Sequence, residues 1–247
     1  MGGRPVVICS KDEAERHLPE LCGKAGFNIE DCRLALVKPN VCGLYHPSLD
    51  LLQAVIQYLG IFAEKIAVVE SKSMIHNPAR QFKRLGIDGL VRQFGDRART
   101  VDLSDESTVK VKVPHPHVLE QLELPEIVLE SDVLVNVPKV GTHSATRITN
   151  ALKNLFGLLP QERKQSLYHP LGMSEVIADI AQVIKSDLNV TDAAEKVIVG
   201  TDPLAVDIAS CRFVDIDPLK VKHLRLVSED RGEQLEDLMK DVKVADY

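Results

Sequence analysis

The chain reads as an α/β protein: a mostly parallel sheet with helices on both faces and a small antiparallel insert. Three features predict this. Short apolar runs alternate with amphipathic stretches over residues 4–70, in the order strand, helix, strand, helix, strand. The runs are continuously apolar, as strands buried on both faces must be. Helix-start residues (Ser, Asn-Pro, Asp-Pro) stand just ahead of the periodic stretches.

The elements follow in order. Arg4 to Cys9 is a strand, and Ser10 with Glu13 three residues on forms a capping box opening a helix to about Gly26. Arg33 to Lys38 is a second strand, ending at Pro39-Asn40. Leu51, Leu52, Val55, Ile56 and Leu59 share one side of a helix that begins near Pro47. Lys65 to Glu70 is a third strand, and Asn77-Pro78 caps a helix that Gly86 ends. Residues 100–125 change character: Val109 to Val113 alternates with period two and Glu120 to Leu124 is a second short strand, so the section reads as an antiparallel edge or a small inserted subdomain. The parallel pattern resumes with Asp132 to Val137, a helix over 145–158 and another over 174–185. Strands at Leu188 to Thr191 and Lys196 to Gly200 follow, then helices capped by Asp202-Pro203 and Asp217-Pro218. No repeat or linker divides the chain, so one α/β domain over 1–247 is expected.

Composition narrows the function classes. Of 247 residues, 45% are apolar and 27% charged, with net charge −6 and no basic stripe, which disfavours nucleic acid as a partner. Trp is absent and aromatics are 4%, too few for a base-stacking surface. No apolar run suits a membrane span. Met-Gly begins a myristoylation signal, but Val6 stands where Ser or Thr is needed. A cytoplasmic setting is expected, so the sequon Asn189-Val190-Thr191 carries no weight. Five scattered cysteines (Cys9, Cys22, Cys32, Cys42, Cys211) form no Cys-x-x-Cys pair, so they read as buried free thiols. The sequence offers no Gly-x-Gly-x-x-Gly, Walker A or Gly-x-Ser-x-Gly signature.

Candidate chemistry gathers after the strand Asp132 to Val137, because sheets of this kind keep their sites at strand carboxyl ends. On a helix, Thr146, Thr149, Asn150, Lys153, Asn154 and Gly157 would share one face. Thr and Asn are poor helix formers, so such a stripe suits a ligand-facing wall better than a solvated one. Lys139 can hold an anion as a point charge, and His143 can move a proton or bind a metal. His169, after the charged loop Gln161 to Lys164, can close over a ligand or join His143 as a metal ligand. Asp207 lies between Val206 and Ile208 in an apolar helix, where a carboxylate needs a cation or donors. It is assigned to orienting Lys153 or a metal. Asn40 and the segment Glu70 to Ser73 end strands on the same edge. His115-Pro116-His117 has metal-like spacing but lies in the insert.

The run from Asp132 to Lys139, Thr142-His143, and Ala151-Leu152-Lys153-Asn154-Leu155-Phe156-Gly157 resembles domain-of-unknown-function family 362. Lys38-Pro39-Asn40, the His169 region, Asp192 and Gly200 to Asp207 agree in order. The resemblance implies the α/β fold. Many relatives carry a pair of ferredoxin-like cysteine clusters; this chain has none, so no iron–sulfur cluster is expected. Relatives also hold a Gly-rich loop where this chain has only Ala193-Ala194-Glu195 between its strands. More distantly, the order of His143 and Lys153 is similar to the amino-terminal domain of nickel-pincer lactate racemase.

The expected function is an enzyme acting on a small anionic metabolite, a carboxylate or phosphate, by proton abstraction or racemisation. Its catalytic residues would be His143, Lys153 and Asp207. Its ligand contacts would be Asn40, Lys139, Thr142, Thr149, Asn150 and Asn154. A divalent metal on His143 and His169 is the cofactor option, and a homodimer is the expected assembly. The alternative is a non-catalytic ligand- or cofactor-binding accessory protein.

Overall fold

The computed structural model describes residues 4–41 and 45–247. The myristoylation-like start and Cys42 lie outside the described residues. The strands are β1 (Arg4–Ser10), β2 (Cys32–Pro39), β3 (Ala63–Glu70), β4 (Ala98–Asp102), β5 (Thr108–Lys112) and β6 (Gln121–Pro125). They continue as β7 (Val133–Val137), β8 (Gly141–His143), β9 (Arg147–Thr149), β10 (Leu188–Ala193), β11 (Lys196–Gly200) and β12 (Val242–Asp246). One eight-stranded sheet has the order β12-β1-β11-β10-β7-β2-β3-β4. Within it only β11 opposes its neighbours, and the remaining pairs are parallel.

Alternation along the strands explains two cores. Val6 and Ile8 feed one and Val7 and Cys9 the other; likewise Leu36 opposes Ala35 and Val37. The capping box at Ser10 forms as expected, with Glu13 Oε2 accepting from the Ser10 amide at 2.8 Å. The insert also forms: β5 and β6 pair antiparallel over residues 108–125. Its leading segment differs from expectation, because residues 98–102 join the main sheet as edge strand β4.

Cys9, Cys22, Cys32 and Cys211 are free and buried. Burial pushes the Cys22 thiol up to about 12. Asn189 and Thr191 of the sequon are buried in mid-sheet. Among the described residues no helix is long and apolar enough to cross a membrane.

The short link between β10 and β11 is a two-residue hairpin, with Ala193 opposite Lys196. Ala194 takes a left-handed φ of 62° there, and Asp192 Oδ1 accepts its amide at 3.0 Å. A non-glycine residue in that conformation costs about 1–2 kcal/mol, partly offset by the entropy glycine would lose. Ala194→Gly should therefore stabilise the protein by about 0.5–1 kcal/mol in urea unfolding. A loss of stability would mean the hairpin is not held as described.

The chain leaves β2 for β3 and β4 on one side, then returns to β7 on the other. The carboxyl ends of β2 and β7 therefore flank a topological switch point, where sheets of this type open a crevice. Asn40, His143, Thr149, Lys153, Asn154 and His169 collect there.

Candidate functional site

A cavity of about 370 Å³ opens beside these strand ends. Its floor is a buried polar row. Lys38 of β2 is level with Asn136 of β7, which is level with Asn189 of β10. Lys38 is fully buried, and its Nζ donates to Glu70 Oε2 and to the Pro39 carbonyl, each at 2.9 Å. Asn154 joins the row by donating to the Lys38 carbonyl at 2.9 Å and to Asn136 Oδ1 at 2.7 Å. Asn136 donates in turn to the Ala151 carbonyl at 2.9 Å and to Asn189 Oδ1 at 3.0 Å. Such a row fixes a unique geometry because each of these polar groups has its partner.

Gly157 is the residue that this floor demands. A Cβ there would come within 2.6 Å of Lys38 Nζ and 2.7 Å of Glu70 Oε1, both locked in their ion pair. Gly157→Ala should cost about 3 kcal/mol through overpacking and a strained buried pair. Chemical denaturation checks it, and a loss under about 1 kcal/mol would contradict the locked floor.

The expected helix over 145–158 is not present as a unit. Residues 141–149 instead form the hairpin β8–β9, and the helix proper is the single turn Ala151–Asn154, continued by a 3-10 turn over 155–158. The shared face of Thr146, Thr149, Asn150 and Lys153 is corrected accordingly. Thr146 is buried and donates to the Ile148 carbonyl at 2.9 Å, within the hairpin. Arg147 occupies a left-handed φ of 63° at the turn.

Asp207 orients the helix rather than Lys153 itself. Fully buried on the helix Pro203–Ser210, it accepts the amides of Ala151 at 2.8 Å and Leu152 at 3.2 Å. Those are amides of a helix's first turn, which have no partner within the helix. Burial raises the carboxyl to about 7 even though both amides pull it down. Asn150 is likewise internal: it donates to Ser210 Oγ at 2.8 Å and accepts from Thr191 Oγ1 at 3.0 Å. Lys139 is spent on buried Asp192, 3.7 Å away, which also pairs with Lys11 at 3.0 Å. Thr142 is exposed and meets the Tyr45 hydroxyl at 3.5 Å. Lys139, Thr142, Asn150 and Asp207 do not line the cavity, whereas Asn40, His143, Thr149, Lys153, Asn154 and His169 do.

Lys153 sets the electrostatics. Its Nζ makes no hydrogen bond or ion pair among the described residues, and burial lowers it to about 8. Burial, with help from Lys153 and His169, lowers His143 to about 4, so its imidazole is neutral near pH 7. Burial and Lys153 lower His169 also. His143 Nδ1 accepts the Ala145 amide at 3.2 Å, so a neutral ring carries its proton on Nε2. In that tautomer His143 presents a donor to a ligand; Nε2 is neither a base nor a metal ligand. Among the described residues no group of three or more His, Cys, Asp or Glu could hold a metal ion. His143 and His169 both face the cavity.

Three further residues have roles that no local pattern in the sequence shows. Lys164 is buried at the cavity, donating to Ser71 Oγ and to the Leu159 carbonyl at 3.3 Å. His76 lines the wall and meets Gln81 Nε2 at 3.0 Å. His223 is fully buried, and neither ring nitrogen has a hydrogen-bond partner among the described residues. Burial, then Lys153, pushes it down to about 3. His223 carries no sequence signal beyond a histidine near the start of an amphipathic helix.

A family model described as a domain of unknown function (DUF362) matches residues 35–212. A thylakoid-associated protein of Synechocystis is 30% identical over 76 residues, 29% of this chain and 24% of that protein. The lactate racemase apoprotein from Thermoanaerobacterium thermosaccharolyticum superposes with a TM-score of 0.52 at 13% identity. That match covers 84% of this chain and 56% of the racemase, and shows a shared fold. A Thermotoga maritima structure gives a TM-score of 0.49 at 11% identity, over 83% of this chain and 58% of that one. The chain thus spans about a quarter of the cyanobacterial relative and just over half of each solved structure.

Proposed function

This chain belongs to the DUF362 family, and we propose that its cavity binds a small anion, a carboxylate or phosphate, on the ammonium of Lys153. One observation carries this: Lys153 is a cation facing a cavity with no counter-charge of its own among the described residues. Of the other lysines at the cavity, Lys38 is neutralised by Glu70, and Lys164 donates to Ser71 Oγ and the Leu159 carbonyl. A part-buried unpaired charge is costly, and a ligand anion removes that cost on binding. Thr149 lines the same wall and can add a neutral donor, and His143 can offer Nε2–H to a ligand oxygen.

Proton abstraction beside a carbonyl extends the reading. Lys153 would hold the carboxylate, His143 would donate to the oxygen that gains charge, and His169, neutral at the mouth, would take the proton. The likeness of fold to a lactate racemase is compatible with this, as analogy.

Calorimetric titration with acetate, lactate and inorganic phosphate tests the binding. At least one should bind the wild type and lose at least about tenfold in affinity in Lys153→Met, as loss of a part-buried charge partner requires. Binding indifferent to Lys153→Met, or none with any of the three, would refute the site. Enantiopure lactate in D2O tests the chemistry: deuterium at the α-carbon that disappears in His169→Gln supports abstraction. Binding without exchange would leave the accessory, binding-only role.

A further inference from the structure

Four of the large apolar side chains that remain in solvent belong to two segments at the mouth of this cavity. Met74 and Ile75 are 59% and 81% exposed, and Leu167 and Leu171 are 53% and 43% exposed. Ser166 Oγ lies 3.3 Å from Met74 Sδ, which joins the two segments, and His169 stands between the two leucines. Ile75 both lines the cavity and reaches solvent, so the apolar rim is continuous with the chamber that holds Lys153. The surface is therefore graded: cationic and hydrogen-bonding inside, apolar outside. Scattered exposed apolar residues need no explanation, but a cluster rimming a polar pocket marks a binding surface.

We infer that the anion bound here carries an apolar tail, which runs out of the cavity across Ile75 and Met74 toward Leu167 and Leu171. This rests on the anion reading above and adds the substrate class: an amphiphilic carboxylate or phosphate. A small hydrophilic anion would leave the rim wet. A tail of several carbons covers it and gains affinity for every methylene removed from water.

The test is a chain-length series of acetate, butyrate, hexanoate and octanoate, all held below their aggregation range so that single molecules bind. Affinity for the wild type should rise about two- to fourfold per added methylene once the tail reaches the rim. In the double variant Met74→Ser/Leu167→Ser, whose positions are exposed and lie outside the cavity lining, the rise should flatten while acetate binding stays. In Lys153→Met the whole series should weaken together with its slope retained. A flat wild-type series, including no binding at any length, overturns the tail. So does a rise that the double variant leaves unchanged. If Lys153→Met instead leaves acetate and octanoate equally well bound, the anion reading fails while the slope still reports on the rim.

Discussion

Lys153→Met should make the unliganded protein more stable, by about 2 kcal/mol at pH 7, although it removes the residue on which ligand binding depends. The amine is lowered from its ordinary 10.5 to about 8 by burial. Folding therefore disfavours the protonated form that the unfolded chain keeps. The penalty is full below about pH 8, shrinks as pH rises from 8 to 10.5, and vanishes above. The full shift would correspond to about 3 kcal/mol, reduced here because the side chain remains partly solvated. Urea unfolding of both proteins at pH 7 and pH 10.5 checks this. The stability gap should close at the higher pH. A destabilised variant would mean that Lys153 holds the fold together. Residues that raise stability when removed are often kept for function.

The opposite outcome is expected one layer below. Lys38→Met should cost about 3–5 kcal/mol, because it leaves the Glu70 carboxylate buried without its cation. It also removes donors to the Pro39 carbonyl and Asn154, so the floor beneath Lys153 loosens. Lys38→Met with Glu70→Gln should recover much of the loss, since Gln keeps the Oε1 acceptor that the Ser71 amide uses at 3.0 Å. Coupling of at least about 1 kcal/mol in that double-mutant cycle is expected. Additive losses would show that the pair stabilises nothing jointly.

How much of this was legible depended on whether the signal was local. The strands β1, β2, β3, β7, β10 and β11 announce themselves as apolar runs, and the caps at Ser10, Asn77 and Asp202 close as their sequences demand. The hairpin β8–β9 was hidden because Thr146, Thr149, Asn150 and Lys153 also fit a helical spacing. Tertiary context chose otherwise: the amides of Ala151 and Leu152 are fixed by Asp207 from a distant helix, which starts the helix late. The β-branched pair Ile148-Thr149 was the overlooked hint. Lys38 and Glu70 are 32 residues apart, and nothing local says that they meet. Their placement at the ends of neighbouring parallel strands does. Asp207 and Asn150 were singled out for their polarity, and the structure uses that polarity to anchor the turn that bears Lys153.

Lys153 is a cation with no hydrogen-bond or ion-pair partner among the described residues, open to an anion. NMR titration of the protein labelled with 13C at lysine Cε, first in low-salt buffer and then with excess acetate or inorganic phosphate, reads that charge. One resonance, absent in Lys153→Met, should titrate near pH 8, and its midpoint should move upward when the anion that binds is present. No lysine titrating below pH 10, or a midpoint that neither anion moves, would show that Lys153 is not an unpartnered cation at an anion site.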